Sequence, residues 1–278
     1  MDRGMTLWMR ALLSGLALAA AIQGPAAAQN PAPHRIVSLN LCADQYLLAL
    51  ADRAQIAGLT QNADNPQMSA AAAQARGLRI LGRSAEEILV IDPDLVVGMP
   101  ARRSVVMVAL GDQHYRAVEL RTAESFAAIV AQTRDIAQAI GKPERGEALI
   151  AGMQRDLAAL GKPGRGRVAA YYQRRGFLTG TGTLIDDLMQ RVGLVNLADR
   201  LGKPALSRLS IEELAAAQPD FIIVESSTDR VMDQGTEMLH HPALRDIPRI
   251  SLPQAWTVCG GPAYVRAAQS LVVQIGAN

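Results

Sequence analysis

The sequence contains few of the residues from which metal sites are usually built. Four histidines and two cysteines occur among 278 residues. A bare Zn²⁺ or Mn²⁺ site needs three or four converging His, Cys or carboxylate ligands. His34 precedes the first predicted strand, and His240 and His241 stand before a turn, away from the predicted binding loops. Since only His114 is left, we expect no metal site of the chain's own.

Catalytic motifs and a charge excess are absent as well. The sequence has no G-x-S-x-G elbow, no P-loop, no H-E-x-x-H and no complete G-x-G-x-x-G after a strand. Its formal net charge is +2, so nothing indicates a nucleic-acid-binding face. These absences favour a binding protein over an enzyme.

The N-terminus has the parts of a secretory signal peptide. Arg3 and Arg10 make it basic, and residues 11–21 form an apolar stretch that is too short to span a bilayer. Ala26-Ala27-Ala28 forms a cleavage site. We therefore predict that residues 1–28 are removed and that the mature protein is periplasmic and soluble.

One phrase occurs twice, 126 positions apart. Ser84–Val97 and Ser210–Ile223 carry Ser, Glu, Glu, Pro and Asp at identical offsets, and each copy ends in an apolar run. This spacing is too long for a solenoid repeat. It predicts two similar lobes, and two lobes imply a cleft between them.

Each copy of the phrase predicts a capped helix, a proline turn and a buried strand. Ser84 with Glu87, and Ser210 with Glu213, have the spacing of a capping box. The apolar run after each proline is typical of a strand in a parallel sheet. Strands alternate with helices along the rest of the chain, which predicts an α/β fold with parallel sheets.

The predicted organisation is two Rossmann-like lobes joined by helices. Residues 29–122 form the N-terminal lobe, residues 123–162 the linking helices and residues 163–278 the C-terminal lobe. An apolar stripe from Glu144 to Leu160 predicts a long helix between the lobes. Because a packed helix resists hinge closure, we expect only small opening motions.

Ligands of open α/β sheets bind beyond the carboxyl ends of the strands. The loops at those ends therefore supply the candidate ligand-binding residues on both lobes. These residues are Asn40, Cys42, Gln61, Asn62, Met99, Arg102 and Arg103 on the first lobe, and Tyr172, Gln173, Arg174, Arg175, Glu225, Trp256, Gly260 and Tyr264 on the second.

Several of these residues favour an anionic ligand. Arg102-Arg103 and Arg174-Arg175 place a pair of guanidinium groups on each lobe, and such groups bind carboxylates and phosphates at two points. Gly260-Gly261-Pro262 opens a helix with bare backbone N–H groups. Together these features predict an anionic chelate as the ligand.

The two cysteines and Trp256 each leave alternatives open. Cys42 and Cys259 follow strands on different lobes, and both belong to the mature chain. They form a disulfide across the lobes, pack as separate thiols or contact a metal ligand, and the distance between their Cα atoms decides. Trp256 either offers a flat face to the ligand or belongs to the core.

Taken in order, the motifs resemble the substrate-binding proteins of ABC importers for cobalamin, iron–siderophores and haem. The resemblance covers nearly the whole mature chain. It depends on Arg35–Leu39, the two Glu-x₆-Pro-Asp phrases, Gly141-Lys142-Pro143, and Thr183–Leu188 followed by Gly193 and Asn196.

The resemblance implies a ligand, a partner and roles for particular residues. The ligand is a ferric siderophore or cobalamin, with haem less favoured and Tyr172 as the first candidate for its axial ligand. Glu86 and Glu212 correspond to the exposed acids that dock onto arginines of a permease dimer, and the binding protein is a monomer. Without the resemblance, these two acids need do no more than interact with a helix macrodipole.

Two rival hypotheses remain from the sequence. A secreted two-lobed, metal-handling enzyme would use Cys42, Cys259 or a histidine. A sensor would use the same fold to present a ligand to a membrane receptor. Neither rival explains the paired acids as directly as docking does.

Overall fold

A computed structural model describes residues 31–82, 84–109 and 115–277. The predicted signal peptide, residues 1–28, lies outside these described residues, and so does His114. From Ala32 onward the described chain forms one compact unit.

The first lobe is a parallel sheet flanked by helices. Its sheet has the strand order β2-β1-β3-β4, and each neighbouring pair is parallel, as the alternation of elements predicts. Its elements are β1 (Ile36–Ser38), α1 (Leu41–Leu50), β2 (Ile56–Gly58), α2 (Ala72–Ala75), α3 (Ala85–Ile91), β3 (Leu95–Gly98), α4 (Val105–Ala109) and β4 (Ala117–Glu119).

Both faces of this sheet are buried. Ile36 and Leu95 are fully buried and pack into the core shared with α1. The next residue of each strand, Val37 and Val96, points to the opposite face and packs there with α3. Successive side chains of a strand alternate between faces, so a sheet covered on both sides needs unbroken apolar runs. That is why these strands have no polar–apolar alternation.

A helical hairpin, rather than one helix, links the two sheets. It consists of α5 (Phe126–Ala139) and α6 (Pro143–Ala158). Ile129 of α5 belongs to the core of the second lobe, whereas Ile136 belongs to the core of the first. A Cβ at Gly146 would lie 2.5 Å from the Cβ of Ala137, so only glycine allows the two helices to approach this closely. The hairpin therefore spans both cores.

The second lobe has a mixed sheet. Its strand order is β10-β9-β5-β6-β8, and β7 also pairs with β5. Its elements are β5 (Val168–Gln173), β6 (Phe177–Thr179), α7 (Leu184–Arg191), β7 (Val195–Asn196), α8 (Leu197–Arg200), β8 (Leu206–Arg208), α9 (Ile211–Ala217), β9 (Phe221–Glu225), α10 (Gln234–Glu237), β10 (Arg249–Leu252), α11 (Gln254–Thr257) and α12 (Tyr264–Ala277).

The parallel arrangement predicted from the sequence holds for the pairs that β5 and β9 form with each other, with β7 and with β10, but one strand of this lobe departs from it. Strand β6 is antiparallel to both β5 and β8. Only Arg174, Arg175 and Gly176 connect β5 to β6, and parallel neighbours need a crossover of a dozen or more residues. Arg175 and Gly176 have φ values of 60° and 76°, which turn the chain back at once. The connection is thus a hairpin.

The repeated phrase builds the same unit twice. In each copy a helix of seven residues leads through a left-handed residue and a proline to a central strand. The aspartate after that proline braces the start of the neighbouring strand. Asp94 accepts the N–H groups of His34 and Arg35 at 2.7 and 2.9 Å, and Asp220 accepts that of Val168 at 2.6 Å. The Asp of the phrase is therefore a strand anchor.

Only one of the two predicted capping boxes forms. The Ser210 hydroxyl accepts the Glu213 N–H at 3.1 Å, and the Glu213 carboxylate accepts the Ser210 N–H at 3.0 Å. Ser84 makes no cap hydrogen bond, and its hydroxyl instead donates to the carboxylate of Glu86. The capping box predicted for Ser84 with Glu87 is wrong, because an exposed acid two residues further along takes the hydroxyl.

This difference predicts unequal effects of the same substitution. Ser210→Ala removes a cap and should lower the free energy of unfolding by about 1 kcal/mol. Ser84→Ala removes no cap and should have a smaller effect, so it serves as the matched control. Urea unfolding of the two variants measures both values. Equal losses would contradict the assignment of the cap.

Candidate ligand cleft and docking face

Two loops of the first lobe meet at the carboxyl ends of its strands. The Asn40 side chain accepts the Ala43 N–H at 2.9 Å and so caps α1. Its Nδ2 donates to the carbonyl oxygen of Met99, after β3, at 3.2 Å. The Thr122 hydroxyl, after β4, donates to the Met99 sulfur at 3.8 Å. The predicted cleft residues Asn40 and Met99 therefore lie together.

The arginine pair of the first lobe is exposed at this end of the sheet. The Glu119 carboxylate accepts the backbone N–H groups of Ala101 and Arg102 at 3.0 and 3.3 Å, which holds the loop after β3. Neither Arg102 nor Arg103 forms an ion pair with another of the described residues. Both guanidinium groups are free to bind an anionic ligand.

Gln61 and Asn62 lie in the loop after β2, which a buried acid holds in place. Asp44 of α1 accepts the Thr60 N–H at 3.0 Å and also the Thr60 hydroxyl. Burial raises the pKa of Asp44, while the hydrogen bonds from Thr60 and Ser38 oppose that shift. Sequence reasoning missed Asp44, because an acid in the first turn of a helix is usually a solvated residue.

The two arginines of the second-lobe pair differ in whether they form an ion pair. Arg174 forms an ion pair with Asp233, whereas Arg175 has no ion-pair partner among the described residues. Gln173 is half-buried, and its Nε2 donates to the hydroxyl of Thr179 at 2.6 Å. Arg175 is therefore the cation that this loop offers to a ligand, and Arg174 already has a carboxylate.

Glu225 and Trp256 are two further predicted cleft residues of the second lobe. Glu225 is half-buried at the end of β9, and burial raises its pKa while nearby Arg174 acts in the opposite direction. Trp256 lies in α11, after β10, and is partly buried against the core of the second lobe. Both alternatives for Trp256 therefore hold in part. The residue packs against the core, and its ring remains partly exposed.

Two of the predicted ligand-binding residues are core residues. Tyr172 is completely buried, and its hydroxyl donates to the Leu209 carbonyl oxygen at 2.8 Å. Tyr264 is also buried, where its hydroxyl bonds to Asp187 and accepts from Arg191 at 2.9 Å. Both ligand predictions are wrong, and so is Tyr172 as an axial ligand of haem. Both rings belong to hydrophobic core clusters of the second lobe, Tyr172 to one and Tyr264 to the other.

The histidines are divided between the two ends of the lobes. The Nε2 of His240 lies 2.9 Å from the Thr228 carbonyl oxygen, in the loop after β9. The expectation that His240 lies away from the cleft loops is therefore wrong. His34 lies beside the start of β1, at the other end. Within the described ranges, no group of three or more His, Cys, Asp or Glu residues could hold a metal ion.

Residues 259–266 of the second lobe pack against the first lobe, and we call this contact the seam. Cys42 and Cys259 form a disulfide, with their Cα atoms 5.4 Å apart. One turn further along α1, the Tyr46 hydroxyl donates to the Gly260 carbonyl oxygen at 2.7 Å. A Cβ at Gly260 would lie 2.4 Å from that of Ala123. Gly260, a predicted ligand residue, therefore has a structural role in the seam.

Glu86 and Glu212 are exposed on equivalent helices. Each lies in the first turn of a helix that precedes a central strand and runs opposite to it. Both N-termini are consequently at the carboxyl edge of a sheet, where the cleft loops are. A hydrogen bond from Ser84 lowers the pKa of Glu86, and one from its own backbone N–H lowers that of Glu212. The edge thus carries one anion on each lobe.

The fold and this arrangement agree with a comparison with known protein families. Residues 36–250 match the family described as periplasmic binding protein. The chain belongs to this family. Since the matched family and the similar structures are binding proteins, the prediction that the chain is not an enzyme is confirmed, and the rival enzyme hypothesis is wrong.

Individual relatives are named for different ligands. A cobalamin-binding protein of Halobacterium salinarum is 26% identical over 205 residues, which are 72% of this chain and 56% of that protein. The chain thus spans little more than half of that relative. The periplasmic heme-binding protein RhuT of Roseiflexus sp. RS-1 is 27% identical, with a TM-score of 0.68 over 87% of this chain and 97% of RhuT.

A third protein is similar in fold alone. The vitamin B12-binding protein BtuF of Vibrio cholerae is 17% identical, with a TM-score of 0.62 over 88% of this chain and 97% of BtuF. The described helices include none that is long and apolar enough to cross a membrane.

The disulfide makes a direct prediction for stability. It joins residues 217 positions apart, so removing it restores much loop entropy to the unfolded chain. Cys42→Ser with Cys259→Ser should lower the free energy of unfolding by up to about 5 kcal/mol. Urea unfolding of this variant and of the wild type, each with and without a reductant, measures the effect. The reductant should destabilise the wild type alone, and an unchanged midpoint in the variant would contradict the tie.

Proposed function

We propose that this chain is the substrate-binding component of an ABC importer, which captures a metal chelate and delivers it to a permease dimer. The observation that carries the proposal is the placement of Glu86 and Glu212. Each is exposed at the same edge as the cleft loops, one on each lobe of a periplasmic binding protein. Two equivalent anions at one edge suit a partner with two equivalent cationic sites.

Free guanidinium groups on both lobes support an anionic ligand. Arg102 and Arg103 on one side and Arg175 on the other have no carboxylate partners among the described residues. Guanidinium groups bind carboxylate and phosphate oxygens at two points. The partly open ring of Trp256 adds a flat apolar surface. These groups suit the carboxylates of a siderophore or the phosphate and amide arms of a corrinoid.

Three of the five tyrosines have hydroxyl groups that are already engaged, which favours a chelate whose metal needs no ligand from the protein. The hydroxyls of Tyr46 and Tyr172 donate to backbone carbonyl oxygens, and that of Tyr264 is held by Asp187 and Arg191. A ferric siderophore or cobalamin already fills the coordination sphere of its metal. We therefore favour these two classes over haem, which binds most firmly when a side chain coordinates its iron.

The proposal also covers the export, the processing and the domain organisation of the protein. Residues 1–28 direct export and are removed, and the mature chain is a soluble periplasmic monomer. Residues 29–122 and 163–278 form the two lobes, and residues 123–162 link them. The helical hairpin and the seam both connect the lobes, so the cleft opens and closes only slightly.

Ligand binding can be followed with a reporter that the chain already contains. Its two tryptophans are Trp8, in the predicted signal peptide, and Trp256, beside the cleft. Cyanocobalamin or a carboxylate-rich ferric siderophore added to the mature protein should quench Trp256 fluorescence in a saturable way.

A double variant controls for nonspecific quenching. Arg103→Gln with Arg175→Gln should weaken binding at least about tenfold, because charge-assisted hydrogen bonds are lost on both lobes. The exposed Arg155, on α6, provides the matched control as Arg155→Gln. Failure of cobalamin, ferric siderophores and haem alike to quench would contradict the ligand class.

Charge reversal tests the docking role separately. Glu86→Arg with Glu212→Arg should abolish uptake of the chelate by cells that carry the cognate importer, because cations would then face the permease arginines. Ligand affinity, measured by Trp256 quenching, should be unchanged.

The control is another exposed acid in the first turn of a helix. Glu144 occupies that position in α6, and Glu144→Arg should leave both uptake and affinity unchanged. Normal uptake by the double variant would remove the docking role, even if ligand binding were confirmed.

A further inference from the structure

A small cavity lies in the seam, outside the cleft. Its volume is about 120 Å³, and it is bounded by α1, by residues 70–74 and by residues 262–266 at the start of α12. Gln45 lines it one turn along α1 from Cys42, whose disulfide closes the seam nearby. The cavity therefore has one wall from each lobe.

One wall holds a buried polar group without a partner. The Gln45 side chain is only 4% exposed, and its Nε2 has no hydrogen-bond partner in the structure. A buried donor that lacks an acceptor is unfavourable, and a bound molecule that accepts from it is one way to satisfy it. Gln45 belongs neither to the predicted cleft nor to the docking face.

The opposite wall supplies further donors and a positive charge. The first turn of a helix has N–H groups without intrahelical acceptors. In α12, which has 14 residues, the backbone N–H of Arg266 has no acceptor among the described residues, and Arg266 lines the cavity. The Arg266 guanidinium reaches across the seam and donates from Nη1 to the Ala70 carbonyl oxygen at 3.1 Å. No Asp or Glu lines the cavity.

We propose that this cavity binds a small aliphatic carboxylate. An anion would accept from Gln45 on one lobe and from the start of α12 and Arg266 on the other, where the helix dipole also favours negative charge. The rest of the wall is apolar and includes Leu48 and Pro262, which suits a short hydrocarbon tail. A cavity of about 150 Å³ holds a molecule as large as benzene, so a carboxylate of three or four carbons is the right size.

Such a ligand would bridge the two lobes. Because its partners come from α1 and from α12, its binding would stabilise the seam. The site goes beyond the proposed importer function, since it shares no residue with the cleft or the docking acids. A test without any chelate therefore leaves the importer proposal unaffected.

Sodium propionate, propionamide and sodium sulfate are suitable probes for the full mature protein. Propionate should raise the melting temperature in a saturable way and shift the NMR signals of the Gln45 side-chain amide and the Arg266 backbone amide. Propionamide should bind at least about tenfold more weakly, because it lacks the charge that Arg266 and the helix favour. Sulfate should also bind more weakly, because it has no tail for the apolar wall.

Variants inside and outside the cavity test where propionate binds. Gln45→Glu keeps the shape of the side chain but places a like charge in the cavity, and should abolish propionate binding. Arg266→Gln should weaken it at least about tenfold. Gln138→Leu and Arg155→Gln, at exposed positions outside the cavity, should bind propionate like the wild type.

Any one of four results would overturn the proposal. The first is no saturable response to propionate, and the second is equal affinity for propionate and propionamide. The third is unchanged propionate affinity in a folded Gln45→Glu or Arg266→Gln variant, as judged by circular dichroism. Sulfate binding as tight as that of propionate would show that the apolar wall confers no selectivity, and would also reject an aliphatic carboxylate as the ligand.

Discussion

The seam between the lobes is the contact on which the rest of the structure depends. Residues 259–266 meet α1 through a covalent bond at Cys42 and a hydrogen bond from Tyr46, and Gly260 closely approaches Ala123, which precedes the helical hairpin. Cys42 and Tyr46 are four residues apart and so lie on one face of the helix. Together with the helical hairpin, which contributes to both cores, this contact sets the distance between the two sheets.

The distance between the two sheets determines what kind of ligand the proposed cleft can hold. In the proposed function, loops from both sheets present guanidinium groups to the ligand, and a seam that limits closure would keep the two sets at a nearly constant separation. A ligand with anionic groups at both ends can then be held without a large closure. Arg174 illustrates the limit of reasoning from charge alone, because an internal carboxylate, Asp233, already pairs with it.

The two copies of the duplicated phrase have one structural role in common and differ in another. In both copies the aspartate after the proline receives backbone N–H groups at the start of the neighbouring central strand, since that strand edge would otherwise have unpaired donors. The serine, in contrast, caps a helix only in the second copy. A shared backbone geometry requires the aspartate, whereas several local arrangements satisfy a helix N-terminus.

Local periodicity and spacing were sufficient to predict the α/β class, the buried strands, the exposed acids and the loops at the strand ends, because each depends on neighbours along the chain. They could not predict that Tyr172 and Tyr264 point into cores, because a ring at the end of a strand or the start of a helix can face either way. The pairing of Cys42 with Cys259 and the buried amide of Gln45 were likewise decided by tertiary structure. Each depends on segments that are distant in sequence and adjacent only once both lobes have packed.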